Sequence, residues 1–189
     1  MSTETSTPTE SGTTKLTIDP AHTQAEFAVK HMMFATVRGS FRSLEGTIYL
    51  APDDEIEESR VEARIDASSI DTGEEKRDEH LRSPDFFAVE QYPEITFEST
   101  SVRRAEDGEL VVTGDLTIRD ETREVELDVR ETGRGQDPWG GERVGFTATT
   151  KIDRRDFGLE WNQALETGGV LVGHDIKITL EIQAVREEN

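Results

Sequence analysis

The sequence predicts an all-β chain: eight antiparallel strands closed into a barrel, with one short helical insertion near one mouth. Three observations carry this. Apolar residues recur at every second position through eight stretches, each with a charged opposite face. Turn-forming residues separate most of these stretches at short intervals, which favours antiparallel neighbours. Between residues 37 and 153 only the interval from Ser69 to Phe97 does not read as strand or turn; there a polar helical run and a Phe pair intervene.

Leu16 and Ile18 begin the ordered chain, and the first counted strand spans residues 22–31. There Ala25, Phe27, Val29 and His31 share the inward face, and Glu26 and Lys30 the outward one. Met32-Met33-Phe34 interrupts the alternation as a turn or a short helix. The second strand, 37–50, holds Val37, Gly39 and Phe41 on one parity and Leu44, Gly46, Ile48 and Leu50 on the other. A parity change inside one strand implies a bulge near Arg42-Ser43. Pro52-Asp53-Asp54 is a turn, and the third strand spans 58–67 with Val61, Ala63, Ile65 and Ala67 inward.

The insertion opens on the turn Asp71-Thr72-Gly73 and continues as a helix from Glu74 to Leu81. Ser83-Pro84-Asp85 has the form of a second helix start: a capping Ser, a Pro at the first position, and an acid at the positive end. This second helix would carry Phe86 and Phe87 and end at Tyr92-Pro93, because a residue before proline is pushed out of the helical region. Strands at 94–103, 109–119 and 123–132 follow, the first two joined by the Glu106-Asp107-Gly108 hairpin signal. Gly133 to Gly141 is a Gly-rich loop, 143–153 a strand, Asp153 to Gly173 a long irregular connection, and 174–186 the last strand. A sandwich would satisfy the same alternation. Small inward residues (Gly39, Gly46, Ala63, Gly114, Ala148) favour the barrel, whose interior at eight strands can hold one small ligand.

The 189 residues fit one domain, expected over 14–189, and residues 1–13, built from Thr, Ser, Glu, Pro and Gly, are expected to form a disordered tail. The net charge is −20, from 41 acidic against 21 basic residues, of which only 5 are Lys. An acidic, Lys-poor surface suits high salt, where screening removes self-repulsion. It argues against nucleic acid, which needs a basic footprint, and against docking on an anionic membrane. No apolar run is long enough for a membrane helix, so stable membrane insertion is not expected. The first fifteen residues lack a basic start and an apolar core, and a cytoplasmic location is the resulting expectation. There is no Cys, and the four His come from distant segments, so no metal is expected. A homodimer is compatible with the sequence, which does not specify oligomeric state.

The motifs now placed resemble the YceI-like family, the polyisoprenoid-binding domain. The matching pieces are Ile18-Asp19-Pro20-Ala21-His22, Phe27-Ala28-Val29-Lys30-His31, Val37-Arg38-Gly39-Ser40-Phe41, Ser69-Ile70-Asp71-Thr72-Gly73, Asp78-Glu79-His80-Leu81, Ser83-Pro84-Asp85-Phe86-Phe87, Tyr92-Pro93-Glu94-Ile95-Thr96-Phe97, Gly114-Asp115-Leu116-Thr117-Ile118 and Arg155-Asp156-Phe157-Gly158. They run in the family's order over residues 16–186. The resemblance implies a lipocalin-like barrel that holds an isoprenoid chain, with a helical segment near the opening.

On this reading the protein is a non-enzymatic carrier or store for a long apolar isoprenoid-type lipid or quinone, and it needs no cofactor. The residues expected to line its tunnel are Phe27, Val29, Phe41, Ile48, Phe86, Phe87, Phe97, Leu116, Ile118, Phe146 and Phe157. In a filled barrel the same residues are plain core. Arg38, Arg42, Arg77 and Arg82 near the mouth could meet a polar head group, or form solvated ion pairs. The alternative is an enzyme acting on a lipid or amide through His80 and Asp78, with Ser69 as a conceivable nucleophile. No nucleophile-elbow motif supports it. A structural reading of Asp78 and His80, as anchors of the helix, stands beside it.

Overall fold

The computed structural model describes residues 12–187, so all but the last two residues of the expected 1–13 tail lie outside the described part. Among the described residues there are eleven strands and one α-helix: β1 (Thr14–Ile18), β2 (Gln24–His31), β3 (Ala35–Phe41), β4 (Leu44–Leu50), β5 (Arg60–Asp66), β6 (Ile70–Asp71), α1 (Glu75–Arg82), β7 (Glu94–Arg104), β8 (Leu110–Ile118), β9 (Glu121–Gln136), β10 (Glu142–Asp153) and β11 (Asp175–Arg186). Every pairing is antiparallel, and β1 closes the ring by pairing with both β4 and β11.

Three of the eight barrel staves are broken strands. β1 and β2 lie end to end along β11, through Ile18↔Ala184 and then Ala25↔Leu180. β3 and β4 continue one another along β2 and β1, and β6 and β5 along β3 and β4. The barrel is therefore a closed eight-stave meander, as the alternation predicts. The predicted first strand gains β1, a segment ahead of residue 22.

Each break is satisfied locally. At Arg42-Ser43 the two backbone N–H groups both donate to the Ser69 hydroxyl, at 3.2 Å each, and that hydroxyl donates to the Asp66 carbonyl at 2.6 Å. A break in one stave is thus stapled by the break in its neighbour. At 19–23, Asp19 caps a short 3₁₀ turn through Ala21 N–H, and Thr23 exchanges hydrogen bonds with the Gln183 backbone.

Two expectations are corrected. Ser83 does not start a second helix; it ends α1, and residues 83–93 form successive turns. Ala88 sits at φ 48°, outside the right-handed helical region, and the Phe87 and Val89 N–H groups fold back onto the Leu81 and Arg82 carbonyls. The Gly-rich segment is mostly strand rather than loop. Gly133 and Gly135 pair with Gly145 and Arg143, past a bulge that leaves Thr132 unpaired, and only 137–141 turns.

Chain direction gives the barrel two unlike ends. One, the terminal end, carries the start of β1, the end of β11 and the turns after β4, β7 and β9, and there Ile56 of a 3₁₀ turn is buried against the core. The other, the helical end, carries the β2–β3 turn, residues 72–93, the β8–β9 turn and the 154–174 connection.

Candidate functional site: an apolar tunnel

The inward faces do not fill the barrel. They leave a cavity of about 250 Å³, walled from Leu50, Val61, Val102 and Val129 near the terminal end to Leu81, Phe87, Leu159 and Val172 at the helical end. That is just below the ~300–1,000 Å³ of drug-sized ligand sites. Its lining runs the length of the barrel, which suits an extended chain better than a compact ring system.

Close approaches set its bore. The Phe27 ring lies across Gly39 on the neighbouring strand, where an added Cβ would collide with the ring. The Phe97 ring covers Gly114 in the same way. In both places a missing side chain lets a large ring lie flat along the wall. Phe41 packs against Phe27 at 5.7 Å and edge-on against Phe87 at 5.6 Å. Beyond them, Phe86, His80 and Trp161 form a second aromatic cluster, with centroids 4.6–5.5 Å apart.

Of the predicted tunnel residues, Phe27, Val29, Phe41, Ile48, Phe86, Phe87, Phe97, Leu116, Ile118 and Phe146 all stand on the cavity wall. Phe157 does not: it is 1% exposed and packs in the core beneath the turn that follows β10. The arginines near the mouth are largely spent on the protein itself. Arg77 donates to the Thr72 hydroxyl and carbonyl at 2.7 and 2.9 Å, Arg82 donates to the Ser68 and Ile70 carbonyls, and Arg42 pairs with Asp71.

Sequence reasoning missed Arg154. It is 3% exposed and borders the cavity at the helical end. Its guanidinium donates to four backbone carbonyls: Gly173 at 2.8 Å, Leu159 at 2.5 Å, Trp161 at 2.9 Å and Val172 at 3.3 Å. Burial holds its pKa below the ordinary arginine value, with the nearby Asp153 charge acting the other way. The signal was available. Ala148, Thr150 and Ile152 alternate inward, and Arg154 is the next residue of that parity.

The residues of the enzymatic alternative are held apart. Asp78 is buried and accepts from the Thr72 N–H at 2.9 Å and the Thr72 hydroxyl at 2.6 Å, so it ties α1 to the strand before it. His80 Nε2 lies 2.9 Å from Asp85 Oδ2 instead, and Ser69 is the staple at the Arg42-Ser43 break. Among the described residues no group of three or more His, Cys, Asp or Glu is placed to hold a metal ion. Nor, among those residues, is any helix long and apolar enough to cross a membrane.

The model of the YceI-like domain matches residues 16–184. The UPF0312 protein SA2479 of Staphylococcus aureus (strain N315) is 41% identical over 169 residues, covering 87% of this chain and 93% of its own. Among solved structures, Burkholderia cenocepacia BcnA superposes with a TM-score of 0.76 at 21% identity, over 88% of this chain and 98% of its own. The Campylobacter jejuni YCEI protein superposes at 0.70 with 28% identity, over 84% and 90%. A polyisoprenoid-binding domain from Saccharophagus degradans superposes at 0.66 with 14% identity, over 91% and 98%.

Proposed function

Because the chain belongs to the YceI-like domain family, whose model spans nearly the whole barrel, we propose that it binds a long, apolar, isoprenoid-type lipid or quinone in the barrel tunnel and stores or carries it without chemical change. The observation that carries this reading is the apolar cavity running from one end of the barrel to the other. Its wall is almost entirely aliphatic and aromatic, with Glu26, Ser59, Arg60, Thr96, Thr150 and Arg154 the polar exceptions. Affinity then comes from apolar area removed from water, roughly 25 cal/mol per Å², with little selectivity for a head group. The Saccharophagus degradans domain, described as polyisoprenoid-binding, lends support through a shared fold.

The hydrolytic reading lacks support, since Asp78, His80 and Ser69 are each committed to separate structural bonds. Organic extraction of protein purified from its native host, followed by mass spectrometry, tests the proposal. The expected result is one apolar lipid in near-stoichiometric amount. Extracts that match those from an unrelated protein purified in parallel would reject it.

A further inference from the structure

The β2–β3 turn at the helical end is built unlike a turn made for stability. Met32 and Met33 stand consecutively at φ 53° and 70°, in the left-handed region where Asn and Gly belong. Their side chains do not repay this by burial. Met32 is 43%, Met33 60% and Phe34 76% exposed, so three large apolar side chains project together from one tip. Positive-φ strain at non-glycine residues persists only where the surrounding structure over-determines it, and it clusters at functional sites.

The tip is braced from behind. Met32 N–H donates to the Leu171 carbonyl at 2.8 Å, Gly173 N–H donates to the Lys30 carbonyl at 2.8 Å, and the Met33 side chain lies against Gly169. Arg154 holds the same 159–173 segment by its carbonyls. A firm platform therefore presents the tip beside the cavity's helical end, where Val29 and Val172 belong to the wall.

The charge along the hairpin that carries the tip is also distinct, although Glu160 and Glu166 lie in the bracing segment. With 41 acids in 189 residues, Phe27 to Leu44 contains none, yet carries Lys30, Arg38 and Arg42. It is the longest acid-free stretch in the chain. Arg42 is paired with Asp71, so Lys30 and Arg38 flank the tip; an apolar tip between cations is the chemistry of an interfacial anchor, whose rings and thioethers enter the acyl boundary while cations meet lipid phosphates. The net charge of −20 opposes an anionic surface, so the matching surface is an electrically neutral one.

We infer that Met32, Met33 and Phe34 form a docking tip that seats the helical end of the barrel on a zwitterionic lipid bilayer, so that an apolar ligand passes between membrane and tunnel without crossing water. This rests on the lipid-binding reading above. The contact is peripheral and reversible, since three side chains bury far less apolar surface than a spanning helix.

The test compares the intact protein with two variants. Met32→Asn/Met33→Gly/Phe34→Ser removes the apolar tip with residues that favour positive φ at the strained positions, so its melting temperature should hold or rise. Trp139→Ser removes a side chain that is 86% exposed at the opposite end. Each is mixed with phosphatidylcholine vesicles carrying geranylgeraniol, and separately with geranylgeraniol diluted from ethanol. Sedimentation reports vesicle binding, and mass spectrometry reports loading.

The tip variant should lose about tenfold in vesicle binding and in uptake from vesicles, while loading from ethanol stays level and Trp139→Ser matches the parent. Equal vesicle uptake by tip variant and parent, with normal loading from ethanol, overturns the docking tip and leaves lipid binding intact. Tip-dependent sedimentation with no loading from either source does the reverse. A parent that ignores vesicles but dimerises through the tip assigns the tip to a second copy of the chain and overturns the bilayer.

Discussion

Asp19 shows how much one carboxylate can organise. It accepts from Arg143 Nη1 at 2.8 Å and from Ala21 N–H at 3.0 Å, with His22 Nδ1 2.7 Å away. Arg143, first, and His22 hold its pKa at about 2, below the usual 3.8. A depressed carboxylate stabilises the fold above its unfolded pKa and loses that contribution as pH falls through the folded value. Asp19→Asn should therefore lower the melting temperature at neutral pH, and the gap should close between about pH 4 and pH 2. Paired thermal melts across that window check it. The tunnel gives a second test at this scale. Phe27 faces the cavity, and the next residue, Ala28, pairs with Lys177 and Arg38 on the outer face. Phe27→Trp should cut bound lipid and cost about 1–3 kcal/mol by overpacking. Ala28→Trp adds the same ring outside and should leave bound lipid unchanged. Equal lipid content in the two variants would show that the barrel does not use this face.

Among elements, the 159–173 segment depends most on a single contact set. It has one isolated bridge of its own, Ala164↔Val170, and one to the neighbouring hairpin, His31↔Val172. What fixes it is Arg154 from below and Asn162, whose side chain donates to the Val172 carbonyl at 2.7 Å and accepts from its N–H at 3.0 Å. Arg154→Met keeps much of the apolar stem but strands the Gly173, Leu159 and Trp161 carbonyls, while that of Val172 keeps its Asn162 donor, and a buried group left unsatisfied costs roughly 1–3 kcal/mol. Hydrogen exchange should then quicken across 159–173 well before the barrel staves open. Unchanged protection there would mean that the bonds to the β2–β3 hairpin, Asn162 and the aromatic contacts hold the segment without Arg154.

For the molecule as a whole, charge is the largest unbalanced quantity. The net −20 is spread over staves whose outer faces are rich in Glu and Asp. Ion pairs such as Arg64–Glu45 and Lys15–Glu187 are exposed, and exposed pairs contribute about 0–1 kcal/mol. They cannot offset the excess. Melting temperature should therefore rise from millimolar to molar KCl as screening shortens the range of repulsion. A flat series would show that the acids are already balanced locally.

The alternation of Leu110, Val112, Gly114, Leu116 and Ile118, and of its counterparts, determined by itself that the chain forms two-faced staves, which side of each turns inward, and that the count suits a barrel. The parity change around Arg42-Ser43, read as a bulge inside one strand, is a full break between β3 and β4, and Glu74 to Leu81 marked the helix to within a residue. These are properties of neighbours along the chain, where a period of two or 3.6 is set by local backbone geometry. Tertiary structure decided the rest. That Thr14–Ile18 is half of the first stave depends on β11 and β4 offering it edges. That residues 83–93 turn instead of coiling depends on where Phe86 and Phe87 can be buried. That Asp78 and His80 take different partners depends on Thr72 and Asp85 reaching them first. Above all, whether eight greasy faces fill a barrel or leave a tunnel depends on how side-chain volumes from every stave sum across the axis, and no single stretch of sequence contains that sum.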